Sequence, residues 1–376
     1  MPTATTRLAR PWLWLGLFFS VSILLSGCTG APAATQPATA TPTVIATAPA
    51  ASTTTPASTA TPLPPTATPA PVATSTPAYA FGEELATLRG HTGGLWAVAV
   101  SPDGDTLASA SADATVKLWD MATRQEIITL AGHTDGVRSV AFHPDGQMLA
   151  TGAVDTTIKL WSLPDGAALA TLTGHTDEVA GVVFSPDGTQ LASGSKDYTV
   201  RTWDVVQPAL RQTFTGHSNW VESVDWSPDG TLISSGSLDY TVRLWDVVQG
   251  ASEYILEGHT HWVLPTAFSP DGALLASGSN DATVRLWEVA TGQEQQVLTG
   301  HLDEVRSVAF SPDGALLASG AEDETVRLWR IATGESILTL EPGSSAAWVA
   351  FSPDGQTLVA ALGNGLVKLW YVGDAG

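Results

Sequence analysis

Cysteine occurs once in the 376 residues, at Cys28, so no disulfide forms within the chain. Positive charge is scarce: 16 Lys and Arg stand against 37 Asp and Glu, and the net charge is −21. Between Pro11 and Gly82 there is no charged residue of either sign. All 37 acidic residues lie at or after Glu83, beside only 14 basic ones. Nucleic acid needs clustered Lys and Arg to neutralise phosphate, so it is not an expected partner. Adsorption of the folded body to anionic lipid is disfavoured for the same reason. No Gly-x-Ser-x-Gly elbow, His-Glu-x-x-His helix or phosphate-cradling Gly-rich loop followed by Lys occurs. A non-catalytic protein without cofactor or metal is therefore expected.

No apolar run reaches the ~20 residues of a comfortable membrane span. The longest, Trp12 to Leu25, follows Arg7 and Arg10 and reads as the h-region of a signal peptide. It ends in Leu25-Ser26-Gly27-Cys28, which resembles the lipobox of bacterial lipoproteins. That resemblance implies diacylglyceryl transfer to the Cys28 thiol, cleavage before it, and a lipid-anchored protein in the bacterial cell envelope, facing outside the cytoplasm. Several acyl chains on one residue give stable anchoring where one would be marginal. From Thr29 to Tyr79 the chain is nearly all Thr, Ala, Pro and Ser, with eleven prolines. This composition cannot bury enough apolar surface to order itself and predicts a disordered tether. The expected organisation is a signal peptide over 1–27, lipidated Cys and tether over 28–80, and a folded domain over 81–373.

What dominates the folded part is repetition. A Trp recurs at Trp119, Trp161, Trp203, Trp245, Trp287 and Trp329 in steps of 42, and again at Trp370 after 41. A Gly-His pair keeps the rhythm at His91, His133, His175, His217, His259 and His301. So does Ser-Pro-Asp-Gly, first at Ser101 and last at Ser352, with His143 replacing the Ser in the second copy. Such a period implies β-propeller blades. Within the fifth copy, strands are predicted at Val263 to Phe268, Leu274 to Ser279, Thr283 to Trp287 and Glu294 to Leu298, with turns at Ser269-Pro270-Asp271-Gly272 and Asn280-Asp281. Pro presets the turn and Gly closes it. The fold class is all-β: a seven-bladed propeller of four-stranded antiparallel blades. The seventh copy stops after its third strand, so the extra strand Glu84 to Leu88 is expected to complete blade seven from the other end.

With Trp119-Asp120, Trp203-Asp204 and Trp245-Asp246 intact, residues 83 to 372 resemble the WD-repeat (WD40) family. The resemblance implies, in each blade, a buried chain of His, Ser or Thr, Asp and Trp. The implied sets are His91, Ser109, Asp113, Trp119; His133, Thr151, Asp155, Trp161; and His175, Ser193, Asp197, Trp203. Three more follow: His217, Ser235, Asp239, Trp245; His259, Ser277, Asp281, Trp287; and His301, Ser319, Asp323, Trp329. Blade seven offers Gly343, Ala360, Asn364 and Trp370, so three of its four members are missing. The donor and acceptor types fit, since indole only donates and carboxylate only accepts. Ser, His and Asp together also suggest a hydrolase, but six copies bound to Trp argue for structure rather than a unique nucleophile. His259 and His261 bracket Thr260, yet the first belongs to a set and the second alone is not a metal site.

Positions that differ among the copies point to a surface. At the start of each first strand stand Gly94, Gly136, Glu178, Trp220, Trp262 and Glu304, and two residues on Trp96, Arg138, Ala180, Glu222, Leu264 and Arg306. Before each set's Asp come Ala112, Val154, Lys196, Leu238, Asn280 and Glu322. Positions accepting Gly, Glu and Trp alike are expected to be exposed, and in WD-repeat proteins they form a rim where partners dock. A protein-binding face is expected on Trp96, Trp220, Leu238, Trp262 and Leu264, with Arg138 and Arg306 beside them and Glu178, Glu222, Glu304 and Glu322 supplying negative charge. The expected function is a monomeric, membrane-anchored scaffold for protein–protein interaction. The alternatives are a small-ligand or glycan sensor and, from another class, an enzyme with substrate in the central channel.

Overall fold

The structure, a computed structural model, describes residues 79–373. The expected signal peptide, Cys28 and the Thr29 to Ala78 part of the expected tether lie outside the described residues. The described chain forms seven four-stranded sheets and contains no helix. Six sheets are continuous in sequence; blade one, for example, runs Leu95–Val100, Thr106–Ser111, Thr115–Asp120 and Glu126–Ala131. The seventh joins both ends of the domain. Glu84–Leu88 pairs antiparallel with Val367–Tyr371, placing Leu88 opposite Val367 and Thr87 opposite Lys368. Lys368 Nζ also reaches Glu84 Oε2 at 2.9 Å, so the ring is closed by backbone and side chain together.

Both faces of each sheet carry apolar side chains, because the first two strands are rich in Ala, Val, Leu, Ser and Gly and the third sets one Lys or Arg among Val, Ile, Leu and Trp. A blade cannot bury two such faces alone, and the core accordingly lies between blades. Leu149 and Trp161 of blade two pack with Ala108 and Leu118 of blade one, and Trp119 packs with Val359 and Leu369 of blade seven. The same arrangement repeats around the ring.

Two local features set the geometry of the faces. In the Pro-Asp-Gly turn, Gly104 takes φ +81° and donates its N–H to Ser101 O at 2.9 Å, while Ser101 Oγ accepts from Thr106 N and donates to Asp103. His143 replaces that Ser by bridging Asp145 and the carbonyl of Gly188 in the next blade. The opposite face carries the turn after the second strand. There Ala114, Thr156, Tyr198, Tyr240, Ala282 and Glu324 all have φ between +62° and +75°, a region a side chain enters at a cost. In blade seven this position is Gly365, where an added Cβ would come within 2.8 Å of Gly93 O.

Candidate functional site

In blade four, His217 Nδ1 lies 2.8 Å from Asp239 Oδ2 and its Nε2 lies 2.7 Å from Ser235 Oγ. Trp245 Nε1–H donates to the same Oγ at 2.8 Å. Asp239 also accepts from the Ser218 and Thr241 backbone N–H groups and the Thr241 hydroxyl. The same links join His91, Ser109, Asp113 and Trp119, and likewise His133, Thr151, Asp155 and Trp161. They recur in His175, Ser193, Asp197 and Trp203, in His259, Ser277, Asp281 and Trp287, and in His301, Ser319, Asp323 and Trp329. Burial pulls His217 below the ordinary imidazole range, against the opposing effect of Asp239, so the ring is neutral at pH 7. Burial pushes Asp239 up, but the hydrogen bonds from His217, Thr241 and Ser218 prevail and hold it well below the usual carboxylate range. The central hydroxyl, Ser235, has 0% exposure and already accepts from an indole, which leaves it no access to a substrate.

On the face opposite the Pro-Asp-Gly turns, each first strand carries a bulge after its first residue. In blade one Leu95 pairs with Ser111 and Ala97 with Ala110, so Trp96 is skipped by the ladder. The bulge turns the skipped side chain to the channel. Trp96, Arg138, Ala180, Glu222, Leu264 and Arg306 therefore converge, lining a cavity of about 240 Å³ at the channel mouth. In blade five the irregularity spans Leu264 and Pro265, where proline has no N–H to offer.

The expectation of uniform exposure fails at four of these residues, Gly136, Ala180, Leu238 and Leu264, all of them buried. Leu238 is buried at 6% and Leu264 at 8%. Leu264 is drawn into the mouth cavity. The Leu238 N–H donates to Trp220 O at 2.9 Å, a bond made at the same turn in every blade, including at the exposed Ala112, so it does not set Leu238 apart. Trp96 is half-buried because its ring lies over Gly136 of the next blade, where a Cβ would meet it at 2.4 Å. Variation among copies thus marks neighbours that fit one another, large beside small, and not exposure alone. The charges are also mutually engaged. Arg138 pairs with Glu222 at 2.6 Å, Lys196 with Glu178 at 2.7 Å, and Arg306 with Glu304 and Glu322 at 2.6 and 3.0 Å. The negative rim expected from the four Glu is largely neutralised within the face.

What does stand exposed is aromatic. Trp220 is 37% and Trp262 39% exposed, with Tyr240 at 45% between them in sequence. The His261 ring bridges the group, 5.7 Å from Tyr240 and 5.0 Å from Trp262. Lys196 Nζ caps Trp220 at 4.3 Å from the ring centroid. Leu302, 87% exposed, occupies the residue after Gly-His in blade six, where five other copies carry Thr or Ser. Tyr240 and Leu302 escaped the sequence reading, although a Leu in a column of Thr and Ser was a visible signal.

Below the mouth the channel continues as a second cavity of about 570 Å³. Trp348 lines both cavities and stands at their boundary. The equivalent residues elsewhere are Ala97, Ser139, Gly181, Ser223, Pro265 and Ser307, all compact. Among the described residues no group of three or more His, Cys, Asp or Glu is placed to hold a metal ion.

Closed ring, blade hydrogen-bond sets and convergent rim define a seven-bladed β-propeller carrying WD40 repeats. Residues 250–288, 292–330 and 334–371 match the family described as WD domain, G-beta repeat. Residues 95–262 match the Echinoderm microtubule-associated protein second beta-propeller. Among curated proteins, the chain is similar to eukaryotic translation initiation factor 3 subunit I of Aspergillus niger, 52% identical over 44 residues, 12% of this chain and 13% of that protein. The same subunit of Phaeosphaeria nodorum is 48% identical over 42 residues, 11% of this chain and 13% of that one. That of Neurospora crassa is also 48% identical over 42 residues, covering 11% and 12%. The matched stretches are about one repeat long, so the chain covers only a small part of these relatives and the likeness is to a WD repeat.

Proposed function

We propose that this propeller is a membrane-tethered platform, outside the cytoplasm, that binds a protein partner and performs no catalysis of its own. The observation that carries the reading is the exposed aromatic group Trp220, Tyr240 and Trp262 on adjacent blades four and five. Exposed Trp and Tyr are costly in solubility, and buried aromatic anchors dominate protein–protein hot spots. Leu238 and Leu264 support the surface from beneath instead of meeting the partner. Because the rim charges pair with one another, the partner is apolar and aromatic at its centre, and salt affects its capture only weakly. The absence of catalysis is supported by sealed hydroxyls in all six hydrogen-bond sets. The tether and its location are supported by the lipobox-like Leu25 to Cys28 and the Thr/Pro-rich segment.

The test is capture from solubilised membranes with wild type and a Trp220→Ala/Trp262→Ala double variant. Each substitution is expected to weaken capture by roughly 2 kcal/mol with the thermal unfolding midpoint preserved. Identical proteins retrieved in equal amounts by both would place the interface elsewhere.

A further inference from the structure

The lower cavity, between Trp348 and the Pro-Asp-Gly turns, holds one carboxyl that belongs neither to the hydrogen-bond sets nor to the rim. The fifth residue of each first strand is Ala99, Ala141, Val183, Ala267, Ala309 or Ala350, and in blade four it is Asp225. Asp225 is the single titratable side chain among the residues lining this cavity. Its Oδ2 accepts from Phe268 N–H at 2.8 Å and its Oδ1 from Trp226 N–H at 2.9 Å. No Lys, Arg or His contributes to its environment, and burial pushes its carboxyl up to about 7 against those two hydrogen bonds.

Tying neighbouring blades together does not require a charge. Ser139 accepts from Val182 N–H and Ser307 from Val349 N–H, and a hydroxyl suffices for both. A carboxyl brings extra acceptor capacity into a wall whose other polar side chains are the hydroxyls of Ser139, Ser223, Thr266, Ser269 and Ser352, at a desolvation cost that a bound cation offsets when the group is ionised. Beside it, Trp226 is 5% exposed and its Nε1–H has no partner, whereas the Trp of each hydrogen-bond set donates to a hydroxyl. Phe142, Phe268 and Phe310 add aromatic wall, and prolines from five turns frame the outer opening. At about 570 Å³ the volume lies within the ~300–1,000 Å³ of small-molecule sites.

We propose that this cavity binds a small organic cation, a protonated amine on an apolar or aromatic body, with Asp225 as its counter-ion. Phe and Trp rings of the lining face the cation and the body. The ligand enters from the Pro-Asp-Gly face, away from the aromatic group assigned to the protein partner, so the two sites stand or fall separately. Because the cation recruits the carboxylate, binding weakens as pH falls through the Asp225 titration, and no other lining group titrates with it.

The experiment is calorimetric titration of the purified full-length chain in detergent with benzylammonium, which stays protonated throughout, and with uncharged benzyl alcohol. Benzylammonium is expected to bind saturably at pH 8, about tenfold or more weaker at pH 5.5, and to lose that binding in Asp225→Asn. Benzyl alcohol is expected to bind at least tenfold more weakly and without pH dependence. No saturable binding of benzylammonium, equal binding of the alcohol, or undiminished binding in Asp225→Asn would each overturn the proposal. The comparison of charged and uncharged probes uses wild type alone, so it decides the matter even where the variant fails to fold.

Discussion

Arg138 of blade two reaches past blade three to Glu222 of blade four, with Nη2 2.6 Å from Oε2. Ala180, the blade-three residue at this position, is small enough to let the pair pass. The Arg138 guanidinium also lies 5.2 Å from the Trp96 ring centroid. Three blades are thereby braced at the channel mouth by side chains well separated in sequence. A double-mutant cycle on Arg138→Ala and Glu222→Ala is expected to give a coupling energy of about 1 kcal/mol, since both side chains are mostly shielded from water. Strictly additive effects in chemical denaturation would show that the pair contributes nothing.

Blade seven is expected to open before the others. Trp370 is buried there among Leu358, Ala360 and Leu362, but Gly343 and Ala360 supply neither the imidazole nor the hydroxyl of the other blades. Hydrogen exchange should be faster over residues 346–371 than over the matching residues of blade four. His217→Ala, which leaves Ser235 and Asp239 short of a partner, should cost about 1–3 kcal/mol. Equal protection of the two blades would mean that these sets add little to local stability.

Acid should destabilise the propeller in two stages. His91, His133, His175, His217 and His301 are held below the ordinary imidazole range, chiefly by burial. The unfolded chain takes up those protons near pH 6.5 while the folded ring resists, so stability falls as pH drops below that value. Asp113, Asp155, Asp197, Asp239, Asp281 and Asp323 are also depressed, hydrogen bonds outweighing burial, and add a second loss below about pH 4. Asp225 has the opposite sign. Raised to about 7 by burial, it keeps its proton longer in the folded state, so its contribution weakens as pH rises from about 4 to 7. Asp225→Asn loses one of the two acceptors, since an amide nitrogen cannot accept, so the variant should be less stable than wild type at pH 4 and recover by about 1–2 kcal/mol relative to it at pH 8. A constant difference between the two proteins across thermal melts from pH 4 to 8 would refute that assignment.

Lipidation is expected to depend wholly on Cys28. In a bacterial host with lipoprotein processing, a palmitate analogue should label wild type and leave Cys28→Ala unlabelled and in the soluble fraction. Label on the variant, or none on wild type, ends the anchoring proposal.

Much of this architecture is legible in the sequence. Trp119 through Trp329 recur at a constant step, so each blade announces itself, and the polar members fall at the same offsets within every copy. The pairing of Glu84–Leu88 with the last strand follows from counting only three strands in the seventh copy, one before its Ser-Pro-Asp-Gly and two after. What stayed hidden depends on which blade abuts which. Trp96 lies on Gly136, Leu264 turns into the mouth, and Leu238 is folded under, and none of these follows from one column of residue types. Trp348 and Asp225 were visible as intruders in columns of small residues, but their meaning needed the channel that those columns line.

The ladder between Glu84–Leu88 and Val367–Tyr371 also imposes a timetable. The hydrogen-bonded pair Glu84 and Lys368 is separated by 284 positions. During synthesis the earliest strand of the propeller must wait, unpaired, for nearly the whole domain to emerge. Bringing such distant segments together carries the largest loop-closure entropy of any contact in the ring, which makes closure the late and slow event of folding. Until then Glu84–Leu88 is a bare strand in search of an edge, and the charged Glu83 and Glu84 at its start discourage it from finding one on a second nascent chain.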